Sequence, residues 1–238
     1  MSSDGGGAAG SEKGSSRELR ARGFPLVLAG PSGSGKTTIG RALVERRDDV
    51  RFSVSATTRD RRPNEREGID YHFLARDAFR RRIEADAFLE WAEVHGELYG
   101  TLRSELKRAR ERGEHLLLDI DVQGARSVRD RVRDAVTVFL LAPSGERIVE
   151  RLRGRGSESE GELRRRLRAA EAELAAVSEF DFVVVNAVLD RAVEALETIV
   201  RSEERRIERM PRRVQQRGES LAREIRATLG FGEPESPG

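Results

Sequence analysis

The hydrophobic positions of this 238-residue chain fall into short continuous runs separated by stretches with helical spacing. The first run, 24–29, leads into a glycine-rich turn, and apolar residues recur at helical spacing in residues 36–47. This order predicts a strand, a loop and a helix. Later runs alternate with amphipathic segments, which predicts an α/β fold with a parallel sheet covered by helices. The other predicted strands are 116–118, 136–141 and 182–185, and the other predicted helices are 124–131, 145–153, 162–177 and 189–205.

Three regions depart from this alternation. Short alternating stretches rich in Arg, Glu, Thr and aromatic residues, between about 53 and 101, predict a subdomain inserted into the sheet. Residues 1–22 are rich in Gly and Ser and contain too little apolar surface to offset chain entropy, which predicts a disordered tail. Apolar residues recur every fourth position from 221 to 229, so the extension 205–238 is expected to be partly helical or disordered. The main domain is therefore expected to span 23–204, with the insertion at 57–104.

A charged segment that contains glycine, 154–158, precedes one of the predicted helices. Ser159 is followed by Glu162 three positions later, a spacing that fits a capping box and would start the helix there. A charged, glycine-containing segment before a long helix predicts a mobile lid, over about 144–165.

Composition narrows the class of protein. Lys plus Arg total 44 and Asp plus Glu total 42, so the chain has little general attraction for polyanions, and no nucleic-acid partner is expected. The basic stretch 201–213 is interspersed with Glu, as in a solvated helix end.

No run approaches the ~18 apolar residues of a membrane helix and the first residues lack a signal-like apolar core, so a cytoplasmic protein is expected. Without cysteine, and with three histidines that lack metal-ligand spacing, any metal is expected to bind oxygen ligands.

The segment 30–37 reads GPSGSGKT and matches the phosphate-loop pattern G-x-x-x-x-G-K-[ST], between a predicted strand and a predicted helix. Glycines allow several backbone N–H groups to face one anion, Lys36 adds a charge for the outer phosphates, and the Thr37 hydroxyl suits Mg²⁺. Lysine is scarce here, occurring only at Lys13, Lys36 and Lys107. A Gly/Ser-rich helix cap is the alternative, but the scarcity of lysine favours nucleotide binding.

Two aspartates, Asp119 and Asp121, follow the predicted strand 116–118. A carboxylate at such a strand end is what phosphate-loop enzymes use to hold Mg²⁺ directly or through water. Helix capping or simple solvation is the alternative for both residues.

Six segments between about residues 24 and 204 form a specific set. They are GPSGSGKT (30–37), FSVSATTR (52–59), the Glu65/Gly68/Asp70–Tyr71 set, FLEWAEVHGELYGT (88–101), LLLDIDVQGA (116–125) and RLRGRG (151–156). Together they resemble the guanylate kinase family. The resemblance implies a P-loop nucleoside monophosphate kinase that transfers a phosphoryl group from ATP to GMP or dGMP with Mg²⁺, in purine nucleotide metabolism, as a monomer or homo-oligomer.

The resemblance also implies a role for each site residue. It assigns a GMP-phosphate clamp, a guanine-reading set, a donor loop and a group of arginines that close over the phosphates. The GMP phosphate would be held by Arg59, Arg62, Tyr71 and Tyr99, and guanine would be read by Ser55, Glu90 and Thr101, with Glu65 and Asp121 at the border. ATP would contact Gly30, Pro31, Ser32, Gly33, Ser34, Gly35, Lys36, Thr37, Thr38 and Asn186, and Mg²⁺ would be held by Thr37 and Asp119. The catalytic groups would be Lys36, Arg62, Arg155 and Arg166, supported by Arg151.

The chemistry of these side chains agrees with the implied roles. Guanidinium groups bind phosphate oxygens in pairs, and tyrosine hydroxyls donate hydrogen bonds without adding charge. Guanine presents N1–H and N2–H donors to a carboxylate such as Glu90, and its O6 accepts from hydroxyls such as those of Ser55 and Thr101. Adenine reverses that polarity, so Glu90 is expected to exclude AMP.

The chain departs from the family pattern at a few positions, including Arg61, Asn64, Leu98 and Ala187, and altered affinities rather than lost activity are expected there. Two other functions stay open. A P-loop kinase for another phosphate ester, such as a ribose bisphosphate, would not need Glu90. A non-catalytic module like those of scaffold proteins would typically lack the ATP loop.

Overall fold

A computed structural model describes residues 21–94, 96–154 and 160–229. The predicted disorder of 1–20, the lid residues 155–158 and Ser159 of the predicted capping box lie outside the described residues. The described part of the chain falls into two compact units, one formed by 23–201 and the other by 21–22 with 202–229. No helix in these ranges is both long enough and apolar enough to cross a membrane.

The larger unit is built on a five-stranded sheet in which every neighbouring pair is parallel. The central strand is buried along its whole length, as expected when helices cover both faces of a parallel sheet. The predicted α/β fold is therefore confirmed. The strands, in spatial order, are β2 (Val50–Phe52), β7 (His115–Asp119), β1 (Pro25–Ala29), β8 (Val136–Leu141) and β9 (Phe182–Val185).

Successive side chains of β1 point to opposite faces of the sheet, so the core has two layers. Leu26 and Leu28 pack in a buried cluster with Ile39, whereas Val27 and Ala29 pack in a second cluster on the other face. Burial of each large aliphatic side chain contributes about 1.5–3 kcal/mol. The first face is covered by α1 (Lys36–Arg46) and α7 (Leu189–Glu204), and the second by α3 (Arg103–Arg112) and α4 (Val122–Arg131).

The region between β2 and β7 forms a separate four-stranded sheet, whose strands in spatial order are β4 (His72–Phe73), β3 (Ser55–Thr57), β6 (Glu97–Leu102) and β5 (Phe88–Val94). One face is closed by a small core in which Phe79 and Phe88 stack with their ring centroids 4.3 Å apart. The region also contains one helix, α2 (Arg76–Glu84).

The remaining helices are α5 (Gly145–Arg153), α6 (Glu160–Leu174) and α8 (Arg212–Leu229). Most predicted elements agree with the structure within a few residues, although the helix predicted over 162–177 ends at Leu174. The hydrophobic pattern of the sequence does not predict β2, α2 or α3. The strand has only three residues, and the two helices carry so many charges that their few apolar positions give a weak periodic signal.

Candidate active site

The loop 30–37 joins the carboxyl end of β1 to the first residue of α1. Gly30 and Gly35 adopt φ angles of 139° and 99°, which L side chains rarely adopt. A Cβ atom on Gly30 would lie 2.4 Å from the Leu140 carbonyl oxygen, and one on Gly35 would lie 2.4 Å from Nδ2 of Asn186. The curled loop therefore depends on glycine at both positions.

The amino end of α1 is open to an anion. Helix α1 begins at Lys36, and within the described chain no side chain caps it and no acidic residue lies in its first turn. Its first N–H groups and the helix dipole favour negative charge. Thr38 is exposed in this first turn.

Lys36 bends back over the loop, where its Nζ donates to the Gly30 carbonyl at 2.7 Å. The next residue, Thr37, donates from Oγ1 to Oδ2 of Asp119 at 2.6 Å, so a loop hydroxyl and a carboxylate at the end of β7 are adjacent. A hydroxyl and a carboxylate are oxygen ligands of the kind that Mg²⁺ prefers. The pair fits the predicted metal position.

Asp121 has a different local role from Asp119. Its Oδ1 accepts from the backbone N–H of Gly124 at 2.7 Å, which makes it the N-cap of α4. The helix-capping alternative therefore holds for this aspartate, which still lies close enough to raise the pKa of Glu90 electrostatically.

Side chains from three distant segments converge on the loop. Arg151 in α5 donates to the carbonyls of Gly33 and Ser34, at 3.1 and 2.9 Å, and Asn186 also donates to Ser34, at 2.8 Å. Arg166 in α6 donates to Oγ of Ser32 at 3.0 Å. The structure thus brings two of the arginines to the loop, whereas Arg155 lies outside the described residues.

A row of polar side chains crosses the four-stranded sheet. Ser55 and Glu90 both pair with Thr101, from the strands on either side of it. Oγ1 of Thr101 donates to Oε1 of Glu90 at 2.7 Å in a buried position. Burial raises the pKa of Glu90 above its ordinary value, and the Asp121 charge adds to this effect, while the Thr101 hydrogen bond opposes it.

An irregularity in β5 determines which residue of that strand lies opposite Thr101. Phe88 pairs with Leu102, yet Glu90 rather than Leu89 pairs with Thr101, so β5 contains a bulge. Phe88 and Leu89 are both buried, in different clusters. The bulge lets two consecutive apolar residues point inward and still places Glu90 beside Thr101. Nothing in the sequence pattern identified it.

Tyr99 lies two residues before Thr101 on the same strand and therefore on the same face of the sheet. Its ring meets Tyr71 edge-on, with the centroids 6.2 Å apart. The Arg59 guanidinium lies 5.5 Å from the Tyr71 ring centroid and donates to Oε1 of Glu65 at 2.7 Å. Hydrogen bonds from Arg59 and from the Arg62 backbone lower the pKa of Glu65, and burial raises the pKa of Tyr71.

The structure therefore assembles most of the predicted residues into a loop site and a sheet site. Arg62 contacts Glu65 through its backbone N–H, which donates to Oε2 of Glu65 at 2.9 Å. The side chain of Arg62 is exposed to solvent. Glu173 was not among the predicted site residues, yet its carboxylate interacts with the backbone N–H of Ser32. Its spacing of seven residues from Arg166, two helical turns, was the available signal.

Comparison with known proteins gives consistent matches. The family sequence model described as guanylate kinase matches residues 22–203. A protein named guanylate kinase from Thermotoga maritima is 46% identical over 188 residues, which cover 79% of this chain and 91% of the relative. One from Rhodococcus jostii is 48% identical over 181 residues, covering 75% of this chain and 87% of the relative. The crystal structure of a guanylate kinase from Anaplasma phagocytophilum superposes with a TM-score of 0.65 at 30% identity, covering 90% of this chain and all of that one.

Proposed function

This chain belongs to the guanylate kinase family, a family of nucleoside monophosphate kinases, and we propose that it transfers the γ-phosphoryl group of ATP to GMP. An oxygen of the GMP phosphate bonds to the γ-phosphorus while the bond to the bridging oxygen of ADP breaks, so the products are ADP and GDP. The observation that carries the proposal is the row of Ser55, Thr101 and Glu90 in a chain that also has a complete phosphate loop.

On the donor side, the loop N–H groups and Lys36 bind the triphosphate and keep the γ-phosphoryl group in position. Arg166 lies against Ser32 and is close enough to add positive charge where negative charge is redistributed during transfer. Thr37 and Asp119 would hold Mg²⁺, which when bound supplies further neutralisation of phosphate charge. Arg155 adds positive charge together with Arg166. Arg151 holds the loop through its hydrogen bonds to the Gly33 and Ser34 carbonyls.

On the acceptor side, Glu90 accepts hydrogen bonds from guanine N1–H and N2–H₂. The hydrogen bond from Thr101 fixes one of its carboxylate oxygens, and the Ser55 hydroxyl donates to O6. Arg59, Arg62, Tyr71 and Tyr99 hold the GMP phosphate. Because Arg59 is already oriented by Glu65, part of the ordering cost is met before GMP binds.

The insertion 57–104 serves in this proposal as the GMP-binding subdomain, and residues of about 144–165 serve as the lid. The same proposal includes dGMP as an alternative acceptor, a place in purine nucleotide metabolism and GMP recycling, and a cytoplasmic location where these nucleotides are found. Nucleic acid and membrane partners are not part of it, and both a monomer and a homo-oligomer are compatible with it.

A coupled assay with ATP and each of GMP, dGMP, AMP, CMP and UMP tests the proposal. We expect Mg²⁺-dependent turnover with GMP and dGMP, little turnover with AMP and the pyrimidine nucleotides, and loss of turnover with EDTA. ATP hydrolysis that does not depend on GMP, or phosphorylation of a ribose phosphate instead, would contradict it. Binding of a phosphorylated peptide without any turnover would identify a non-catalytic module.

A further inference from the structure

Helix α6 presents two opposite charges to one residue of the phosphate loop. Arg166 donates to the Ser32 hydroxyl at 3.0 Å, and the Glu173 carboxylate interacts with the Ser32 backbone N–H. Seven residues separate them, so both side chains lie on one face of the helix, about two turns apart. The proposed role of Arg166 explains the positive charge, but the proposed phosphoryl transfer does not use the carboxylate.

The Glu173 carboxylate has few groups around it that stabilise a negative charge. It is half-buried, and its Oε2 is buried without a hydrogen-bond donor among the described residues. Lys36 attracts the carboxylate, whereas the Asp121 charge repels it. Burial is the largest effect and raises the pKa of Glu173, so the ionised form is held at a cost.

The position of this carboxylate matches what a phosphate oxygen requires. A backbone N–H of the loop and the Lys36 ammonium are the groups with which a phosphate loop binds its anion. A buried carboxylate with a purely structural role normally has both oxygens hydrogen-bonded, whereas Oε2 of Glu173 has no donor among the described residues. A cavity of about 240 Å³ beside Glu173 gives the side chain space to withdraw, and its wall carries both a negative and a positive group, Asp121 and Arg126.

We propose that Glu173 is an internal competitor for the donor phosphates, an inference that rests on the proposed function of the loop. Before the nucleotide binds, its carboxylate lies beside the Ser32 N–H and is attracted by the Lys36 ammonium. The triphosphate displaces it when ATP binds. The competition weakens ATP binding and leaves the chemical step unaffected, because the displaced carboxylate makes no contact with the reacting atoms.

The test compares Glu173→Gln, which keeps the size of the side chain and removes its charge, with the wild-type protein. Isothermal titration without GMP measures the Kd for ATP and for inorganic tripolyphosphate, which isolates the phosphate contacts from the base. We expect both ligands to bind roughly tenfold more tightly to the variant, since a competing charge at the anion position is gone. The KM for ATP should fall in parallel, with kcat changed by less than about twofold and the KM for GMP unchanged.

Glu171→Gln is the matched control, because Glu171 is exposed on the same helix two residues away and should leave all these values unchanged. Glu173→Asp, a shorter carboxylate, is a second variant and should tighten binding by less than Glu173→Gln does. Weaker or unchanged tripolyphosphate binding in a folded Glu173→Gln protein overturns the proposal, as does a fall in kcat at constant KM. Failure of the wild-type protein to bind either ligand would instead overturn the proposed function itself.

Discussion

The donor loop and the acceptor sheet differ in how the chain encodes them. The donor loop is contiguous: eight consecutive residues, 30–37, carry the phosphate-binding backbone, the lysine and the hydroxyl. The acceptor row comes from three strands, and its members meet only because Ser55, Glu90 and Thr101 fall opposite one another in the pairing. A local motif therefore specifies the first site, and strand register specifies the second.

Because the two sites are encoded differently, we expect them to be disrupted by different kinds of substitution. The loop depends on backbone conformations that only glycine adopts easily, at Gly30 and Gly35. The acceptor row depends on the close approach of β5 to β6. A Cβ atom on Gly100 would lie only 2.7 Å from the Glu90 carbonyl oxygen. Changes to functional side chains should therefore separate the two sites kinetically, with effects on ATP for one and on GMP for the other.

Lys36→Ala should have the largest effect. Loss of one electrostatic contact to the transferring group commonly lowers kcat by about 10²–10³-fold. The fold should be unaffected, because Lys36 bonds only to carbonyls of its own loop among the described contacts. Steady-state kinetics and the Tm give the two readouts. Lys107→Ala, an exposed lysine on α3, is the control, and near-normal kcat in Lys36→Ala would remove the donor-site assignment.

Glu90→Gln should lower kcat/KM for GMP roughly a hundredfold, because a charge-assisted hydrogen bond is lost and an amide donor then faces the guanine donors. The KM for ATP should barely change, and AMP should be affected much less. Glu93→Gln, on the exposed part of the same strand, should leave GMP kinetics unchanged. A loss of less than about fivefold, or equal losses for GMP and AMP, would exclude Glu90 as the guanine-reading residue.

The same substitution should stabilise the protein at neutral pH. Since the folded-state pKa of Glu90 is raised, the native state holds its proton more tightly than the unfolded state does. The free energy of unfolding therefore falls as pH rises through the window between the ordinary and the raised pKa, and it stays lower above that window. Glutamine lacks this penalty and can still accept from Thr101, so the Tm at pH 7.5 should rise while GMP activity falls. A lower Tm in Glu90→Gln would contradict the charge argument.

The pH dependence of GMP turnover should show a smaller effect. Protonated Glu90 cannot accept both guanine donors, so kcat/KM for GMP should fall about tenfold per pH unit below its raised pKa. The GMP phosphate also titrates, with a pKa of about 6, and contributes its own pH dependence. The ratio of wild-type to Glu90→Gln values cancels that contribution. A ratio that stays constant from pH 5 to pH 8 would show that Glu90 does not titrate in this range.

Ser55→Ala should have the smallest effect of the series. It removes one neutral hydrogen bond to guanine O6, which contributes about 0.5–1.5 kcal/mol, so kcat/KM for GMP should fall about three- to tenfold. Ser104→Ala, an exposed serine at the start of α3, is the matched control. An unchanged value for GMP in Ser55→Ala would restrict guanine reading to Glu90, which Thr101 orients.

The contrast between the two sites also explains what the sequence could predict. Four strands of the central sheet and the loop were predictable because apolar runs and the GPSGSGKT motif are signals within a few neighbouring residues. The acceptor residues followed only from the family resemblance, because no local pattern places Ser55 beside Glu90. The bulge at Phe88–Glu90 and the approach of Glu173 to Ser32 depend on packing between distant segments, which a single sequence does not display.

The transfer of label from ATP tests most directly whether the loop and the sheet row form one active site. The protein is incubated with γ-labelled ATP, GMP and Mg²⁺, and the products are separated. The account predicts that the label appears in the β-phosphate of GDP in proportion to the ADP formed, and that neither Lys36→Ala nor Glu90→Gln sustains this transfer at the wild-type rate. Label that accumulates as inorganic phosphate at the same rate with and without GMP would contradict it.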